Sequence, residues 1–344
     1  MSTKAGRSCP LHYRYRPQVF AGPASLGVET LYVVGGIYGN VVALRRVLQM
    51  KREEERRTGG RVDLFFNGDF NWFDCDAESF VEINEAVLEH HALRGNVEAE
   101  LAGAGDENGC GCNYPDYVDA AVVDRSNAIM QRLQNVAAAF PDLCARVAAL
   151  PMFCSVEIGG QKIGIVHGDA ESLAGWNFAY ESMPARADDP LATSGYRNPH
   201  NAIQRVFREA GVAAFASTHS GLPFVQDFEV DGRRRVVINN GAAGLPNFEG
   251  SRFGVLTRIS SHAEMPTESL YGTTLESLRF DALAIHYDAA AWLKRFLDQW
   301  PAGSPAHEGY FSRITRGPDF SIELAVRLAP GHRGISNRAA AITP

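Results

Sequence analysis

The sequence predicts an α/β protein with a layered sheet core and its chemically useful groups gathered along one sheet edge. Three observations predict it. Strand-like runs alternate with helical patterns through the first half of the chain, and four strand-like runs follow one another between residues 212 and 260. Polar signatures close one strand-like run after another: GGIYGN, NGDF, RGNVE, VHGD and STHSG. In open α/β sheets, ligands bind at that carboxyl-end edge.

Taken in order, residues 1–28 are rich in Pro, Gly and Arg and read as an irregular arm. Residues 31–34 form a first strand, and Val41, Leu44 and Leu48 then recur at helical spacing. The charge run KREEERR that follows reads as a solvated helix end. RVDLFFNGD is a second strand and HALRGN a third, shorter one. Residues 99–116 turn to Gly, Cys and Asn, the composition of an insertion or long loop. Val118, Val122, Ile129, Leu133 and Val136 lie along one stripe of a long helix.

MFCSVEIGGQKIGIVHGD reads as two strands around a Gly-Gly turn, the second ending at His167. Residues 171–198 are irregular, and HNAIQRVFREAG is a short amphipathic helix. VAAFASTHS, PFVQDFEV, RRVVINNG and FGVLTRIS are the four consecutive strands. Residues 261–344 read as an appendage packed on the main domain, with one strand (LRFDALAIHYD), a helix (AAAWLKRFLDQW) and a loose end. Its aromatic residues Tyr287, Trp292, Phe296 and Trp300 suit core packing, or alternatively a substrate lid or a contact with another subunit.

The 344 residues are 45% hydrophobic and 21% charged, with a formal net charge of -7 and scattered basic residues. That balance argues against a nucleic-acid binder, which needs a basic patch. The N-terminal stretch MSTKAGRSCPLHYRYRPQ lacks the apolar core and cleavage site of a secretory signal. No apolar stretch approaches the ~20 residues of a membrane span. The expectation is a cytoplasmic protein whose six cysteines stay reduced.

Four residues at strand ends carry the chemistry: Asp69, Asn96, His167 and His219. Each alone has a plain structural explanation, as a turn cap, a left-handed turn residue or a core histidine. Together they supply a carboxylate, a carboxamide oxygen and two imidazoles, a set suited to Mn, Fe or Zn. The Cys110/Cys112 pair can chelate too, but no second cysteine pair matches it.

These blocks resemble the calcineurin-like metallophosphoesterases, whose pattern runs D-x-H-G-N, G-D, G-N-H-[DE], H-G and G-H-x-H-x-P. Here GIYGN (36–40), GD (68–69), GNVE (95–98), HGD (167–169) and THSGLP (218–223) occur in that order, followed by NNGAAGLP (239–246). The resemblance covers roughly residues 29–260 and implies a four-layer α/β/β/α sandwich with a two-ion centre. It assigns one ion to positions that read Gly36, Tyr38, Asp69 and Gly221 in this chain, so only the shared Asp69 remains. It assigns the other ion to Asp69, Asn96, His167 and His219, all present. The emptied turn at 35–40 is then half of a two-metal centre, and the cofactor implied is one divalent ion.

The family's histidine that helps to protonate the leaving group is Val97 here, while its carboxylate neighbour, Glu98, survives. Tyr38 and Arg94 are candidates to face the phosphate, and Asn40 to hold a phosphate or a water. The expected partner is a phosphorylated small molecule or a nucleotide. The alternative is a catalytically degenerate module that only binds such a ligand. A third possibility recruits a second ion through Cys75, Asp74, Asp169 or the Cys110/Cys112 pair.

Overall fold

The structure, a computed structural model, describes residues 5–101, 108–185 and 197–332. Part of the Cys/Gly-rich insertion (102–107), part of the irregular segment (186–196) and the end of the tail (333–344) lie outside the described residues.

The strands in chain order are β1 (Leu26–Gly27), β2 (Thr30–Val34), β3 (Asp63–Asn67), β4 (His91–Leu93), β5 (Phe153–Ile158) and β6 (Gln161–Val166). Then come β7 (Ala214–Ser217), β8 (Phe224–Val230), β9 (Arg233–Asn239), β10 (Gly254–Ser260), β11 (Ser269–Leu275), β12 (Leu278–Ile285) and β13 (Val326–Arg327). The helices are α1 (Val41–Thr58), α2 (Ala77–Leu88), α3 (Asn96–Glu100), α4 (Ala120–Ala137) and α5 (Pro141–Ala148). The second half adds α6 (His200–Ala210), α7 (Ala289–Gln299), α8 (Pro305–Arg316) and α9 (Ile322–Ala325).

Two sheets form. One has the order β1-β5-β6-β7-β9-β8-β13 and the other β11-β12-β10-β2-β3-β4. β2, β3 and β4 run parallel, as do β6, β7 and β9, while β10 returns antiparallel to β2. The parallel strands are buried on both faces, which is why they read as continuous apolar runs.

Alternation assigns the layers. Leu31, Val33 and Phe65 join the cluster that holds Ile163, Ile165, Ala214 and Ala216 of the opposite sheet. Tyr32, Val34, Leu64 and Phe66 point the other way, into a cluster with Leu44 and Val47 of α1, Ile83 of α2, Leu133 of α4 and Phe296 of α7. On the far side of the seven-stranded sheet, Phe215 meets Phe20 and Phe207 edge-on or tilted, both ring pairs within 5.5 Å. Helix, sheet, sheet, helix is the resulting order.

The C-terminal segment differs from a strand, a helix and a loose end. β11 pairs with β12, and both extend the sheet that β2 and β3 begin. The loose end contains α8, opened by Ser304 and Pro305, a helix-start signature. Trp292, Phe296 and Trp300 are all buried within this chain. No helix among the described residues is long and apolar enough to cross a membrane.

The charge run also departs from the reading as a solvated helix end. α1 continues through it, and Glu54 is buried against the sheet. Arg258 Nε on β10 donates to Glu54 Oε1 at 2.8 Å, and the Tyr32 hydroxyl donates to Glu54 Oε2. Position along the helix decides this: Glu54 falls on the stripe of Leu44, Val47 and Met50, which faces the sheet.

Candidate metal centre

Each candidate ligand sits just beyond a strand's carboxyl end. Asp69 follows β3, Asn96 follows β4, His167 follows β6 and His219 follows β7. The first two come from one sheet and the last two from the other, so the centre lies where the sheet edges meet. Gly68 makes that approach possible. It has φ +82, and a Cβ there would lie 2.5 Å from the Gly95 nitrogen and 2.6 Å from His167 Nδ1. Any larger residue would separate the loops.

Four acceptor atoms converge. His167 Nε2 lies 3.1 Å from Asn96 Oδ1, 3.4 Å from Asp69 Oδ1 and 3.2 Å from His219 Nδ1. The ligating atoms of Asp69, His167 and His219 all lie within 4.8 Å of one another.

The other atom of each ring or amide is already committed. His167 Nδ1 donates to the Asn67 carbonyl at 2.8 Å and His219 Nε2 to the Cys112 carbonyl at 3.0 Å. Asn96 Nδ2 donates to the Cys110 carbonyl at 2.9 Å. A carbonyl can only accept, so both imidazoles turn their remaining nitrogen inward. Two nitrogen lone pairs facing at 3.2 Å, beside two oxygens, require a positive charge between them. The donor set fits a divalent ion.

Without an ion, a proton does that work. Burial opposes the charged form of His167, but Asp69, through its charge and hydrogen bond, raises the pKa above the usual value. Burial likewise opposes ionisation of Asp69, and the neighbouring His167 and His219 nevertheless hold its carboxyl low. Burial and the adjacent His167 push His219 down to about 4, so it stays neutral.

The surroundings explain the insertion, which sequence left unassigned. Its contribution is backbone: the Cys110 carbonyl holds Asn96, and the Cys112 carbonyl receives both His219 and the Trp176 indole N–H at 3.0 Å. Cys110 and Cys112 themselves are buried with their sulfurs side by side.

The remaining candidates separate. Tyr38 lines the cleft together with Asp69, Asn96, Val97 and His219. Its backbone is left-handed (φ +52), and its ring lies over Gly36, where a Cβ would come within 2.5 Å of the ring. Gly36 and Tyr38 therefore form one steric unit.

Asn40, expected to hold a phosphate or a water, is engaged elsewhere. Its Oδ1 accepts from the Ala43 N–H that caps α1, and its Nδ2 donates to the Gly244 carbonyl at 2.9 Å. Arg94, expected to face the phosphate, donates instead to the Ala148 carbonyl at the end of α5. Glu98 lies behind the cleft and accepts from the N–H groups of Asp69 (2.7 Å), Gly95 (2.9 Å) and Asn71 (3.1 Å). It organises the two loops that present Asp69 and Asn96.

Sequence reading missed the rest of the cleft: Trp72, Tyr114, Trp176, Tyr310 and Arg313. The last two come from α8, and the Ser-Pro start at 304–305 was the available signal.

Among the described residues, Asp69, His167 and His219 form the only group of three or more such side chains that gathers as a metal site. Asp169 instead caps a turn, accepting from Glu171, Ser172 and Asn177. Asp74 accepts from the Trp72 N–H at 2.8 Å while its second oxygen is buried without a partner. Burial, with the charges of Glu98 and Asp76, raises its pKa from 3.8 to about 7. The folded chain then binds a proton that the unfolded chain has lost, so this group's contribution to stability falls as pH climbs from about 4 to about 7. Asp74→Asn is expected to remove that slope. Urea unfolding at pH 5 and pH 8 checks it, the variant gaining on the parent towards pH 8 by on the order of 3 kcal/mol, about two pH units at ~1.4 kcal/mol each.

No protein-family model and no curated protein matches the chain. Solved structures do. A hypothetical protein from Pyrococcus horikoshii OT3 matches 84% of this chain and 99% of its own, with TM-score 0.55 and 15% identity. A metallophosphoesterase from Sphaerobacter thermophilus covers 85% of this chain and 100% of its own at TM-score 0.48, also 15% identical. A predicted phosphoesterase from Streptococcus pneumoniae covers 76% and 91% at TM-score 0.35 and 15% identity. The chain shares the fold of the Pyrococcus horikoshii protein. Within that fold, Asp69, Asn96, His167 and His219 all stand just beyond strand ends, two on each sheet.

Proposed function

We propose that the chain hydrolyses phosphate esters with a single divalent ion held by Asp69, Asn96, His167 and His219. The observation that carries this reading is the inward convergence of four acceptor atoms with no donor among them. A divalent ion there supplies a Lewis acid and makes a water acidic near neutral pH.

The chain's own groups supply position and hydrogen bonds. Burial, then the charge of Asp69, holds the Tyr38 phenol well above its usual pKa, so it stays protonated and can donate to a phosphoryl oxygen. Val97 carries no proton, and general acids typically contribute about 10²–10⁴-fold, so the reading favours esters whose leaving group departs unprotonated. The cleft holds about 120 Å³, below the ~300–1,000 Å³ of sites that enclose a drug-sized ligand. It admits a phosphoryl group, with the leaving group against the aromatic walls of Trp72, Tyr114, Trp176 and Tyr310. An aryl ester or a nucleotide fits that description.

A second reading, a phosphate-binding module without turnover, is favoured by Val97 and by Gly36, Tyr38 and Gly221, where the resemblance implies lost ligands. Elemental analysis followed by an aryl phosphate assay with added Mn²⁺ separates the two. Near one equivalent of metal with turnover supports the hydrolase. Near one equivalent or none, without turnover, supports the binding module, and near two overturns the single-ion site.

A further inference from the structure

We propose that Arg313 of α8 does the work of a second cation, binding a phosphoryl oxygen in the half of the cleft that lacks metal ligands, and so selects dianionic phosphate monoesters. The ion in the other half rests on the phosphoesterase reading above; the anion site rests on its own geometry.

That geometry begins at Gly221, one of the positions where the family resemblance implies a lost ligand. A Cβ built there lies 3.4 Å from the Tyr38 hydroxyl and 3.7 Å from both Nη1 and Nη2 of Arg313. The guanidinium therefore stands beside the emptied position, with the Tyr38 hydroxyl as its neighbour. Two carbonyls hold it there: Nη2 donates to Gly221 at 2.7 Å and Nε to Pro246 at 3.1 Å. Nη1 is left to face the cleft, which Arg313 lines together with Asp69 and His219.

Its charge is not neutralised locally. Among the described residues no carboxylate pairs with Arg313, and the groups around it include the neutral phenols of Tyr38, Tyr310 and Tyr287. Burial pulls its pKa down, yet an arginine stays charged in a protein. A half-buried cation held by carbonyls and lacking a counter-ion is an anion site, and the planar fork matches phosphate. Two carbonyls also fix the guanidinium in advance, so little freedom is lost when an anion arrives.

The charge count names the class of anion. The cleft lining contributes one negative charge from Asp69 and one positive charge from Arg313. A divalent ion adds two positive charges, leaving two for the ligand to balance. A monoester dianion balances them; a diester carries a single charge.

The test is calorimetric binding of inorganic phosphate at pH 8 to the full chain, as purified and after chelation, with metal content measured alongside. Arg313→Met is expected to keep the parent's metal content while phosphate binding weakens by roughly 10- to 100-fold, the range for hydrogen bonds to charged groups. Dimethyl phosphate, with one charge, is expected to bind the parent at least tenfold more weakly than phosphate. If circular dichroism shows Arg313→Met to be unfolded, Arg313→Gln, which keeps a donor for the Gly221 carbonyl, is read against the same thresholds.

Phosphate affinity within twofold of the parent in a folded variant overturns the proposal, as does a parent that binds no phosphate at all. Equal affinity for dimethyl phosphate overturns the preference for dianions. A parent that carries no metal, yet loses phosphate when Arg313 is replaced, refutes the hydrolase reading and supports the anion site.

Discussion

Replacing His167 by alanine is expected to remove bound metal and turnover together. Three of the four converging atoms are measured against its Nε2, at 3.1, 3.4 and 3.2 Å from Asn96, Asp69 and His219. Without it, the remaining donors surround a hole the size of an imidazole. Metal content should fall from near one equivalent to near none. An ion's Lewis-acid contribution of several kcal/mol corresponds to about a thousandfold or more in kcat/KM. The variant also orphans the buried Asn67 carbonyl and leaves a cavity beside it. Circular dichroism and urea unfolding must therefore accompany the assay, and added Mn²⁺ should fail to restore activity in a folded sample. Unchanged turnover in the His167→Ala variant would sink the single-ion hydrolase.

What the sequence could disclose follows the range of each interaction. Asp69, Asn96, His167 and His219 were readable because each lies at the end of its own strand, and that placement is local to a few residues. The strands were readable for the same reason, since period and turn residues announce strands without reference to partners, whereas their division into two sheets came only from the resemblance. Arg313 was hidden. It stands 92 positions from Gly221, and only the packing of α8 brings the two together. The insertion was hidden for a different reason. Its carbonyls, not its cysteine side chains, hold Asn96 and His219, and a backbone carbonyl leaves no mark in a residue's name.

Asn40 and Arg94 show the converse limit. Their residue types suited phosphate, yet a helix cap claimed the first and the carbonyl at the end of α5 the second. A polar side chain beside a helix start or a strand end is often taken by the fold itself, because buried backbone groups must find partners. Glu98 lies between these cases, since its carboxylate serves the backbone that presents the ligands.

Arg258→Met is expected to lower stability by about 3–5 kcal/mol, because it strands buried carboxylates on two other elements. Arg258 is 0% exposed on β10, with Glu54 of α1 at 2.8 Å and Asp281 of β12 at 3.7 Å. Asp281 retains Arg279 at 2.7 Å and the Ser269 hydroxyl at 2.9 Å, so Glu54 bears most of the loss. Its remaining buried partner is the Tyr32 hydroxyl. Pairing Arg258→Met with Glu54→Leu should then recover much of the stability, since an apolar pair of similar volume removes the stranded charge. Glu54 also lies 14 residues along α1 from Asn40, about 21 Å at about 1.5 Å per residue. Urea unfolding should therefore register the single and double variants differently while the metal content of both stays at the parent's value. A single variant that loses metal in proportion to stability would mean that the sheet edge and the ion pair yield together. A double variant no more stable than the single would mean that Glu54 was not the stranded charge.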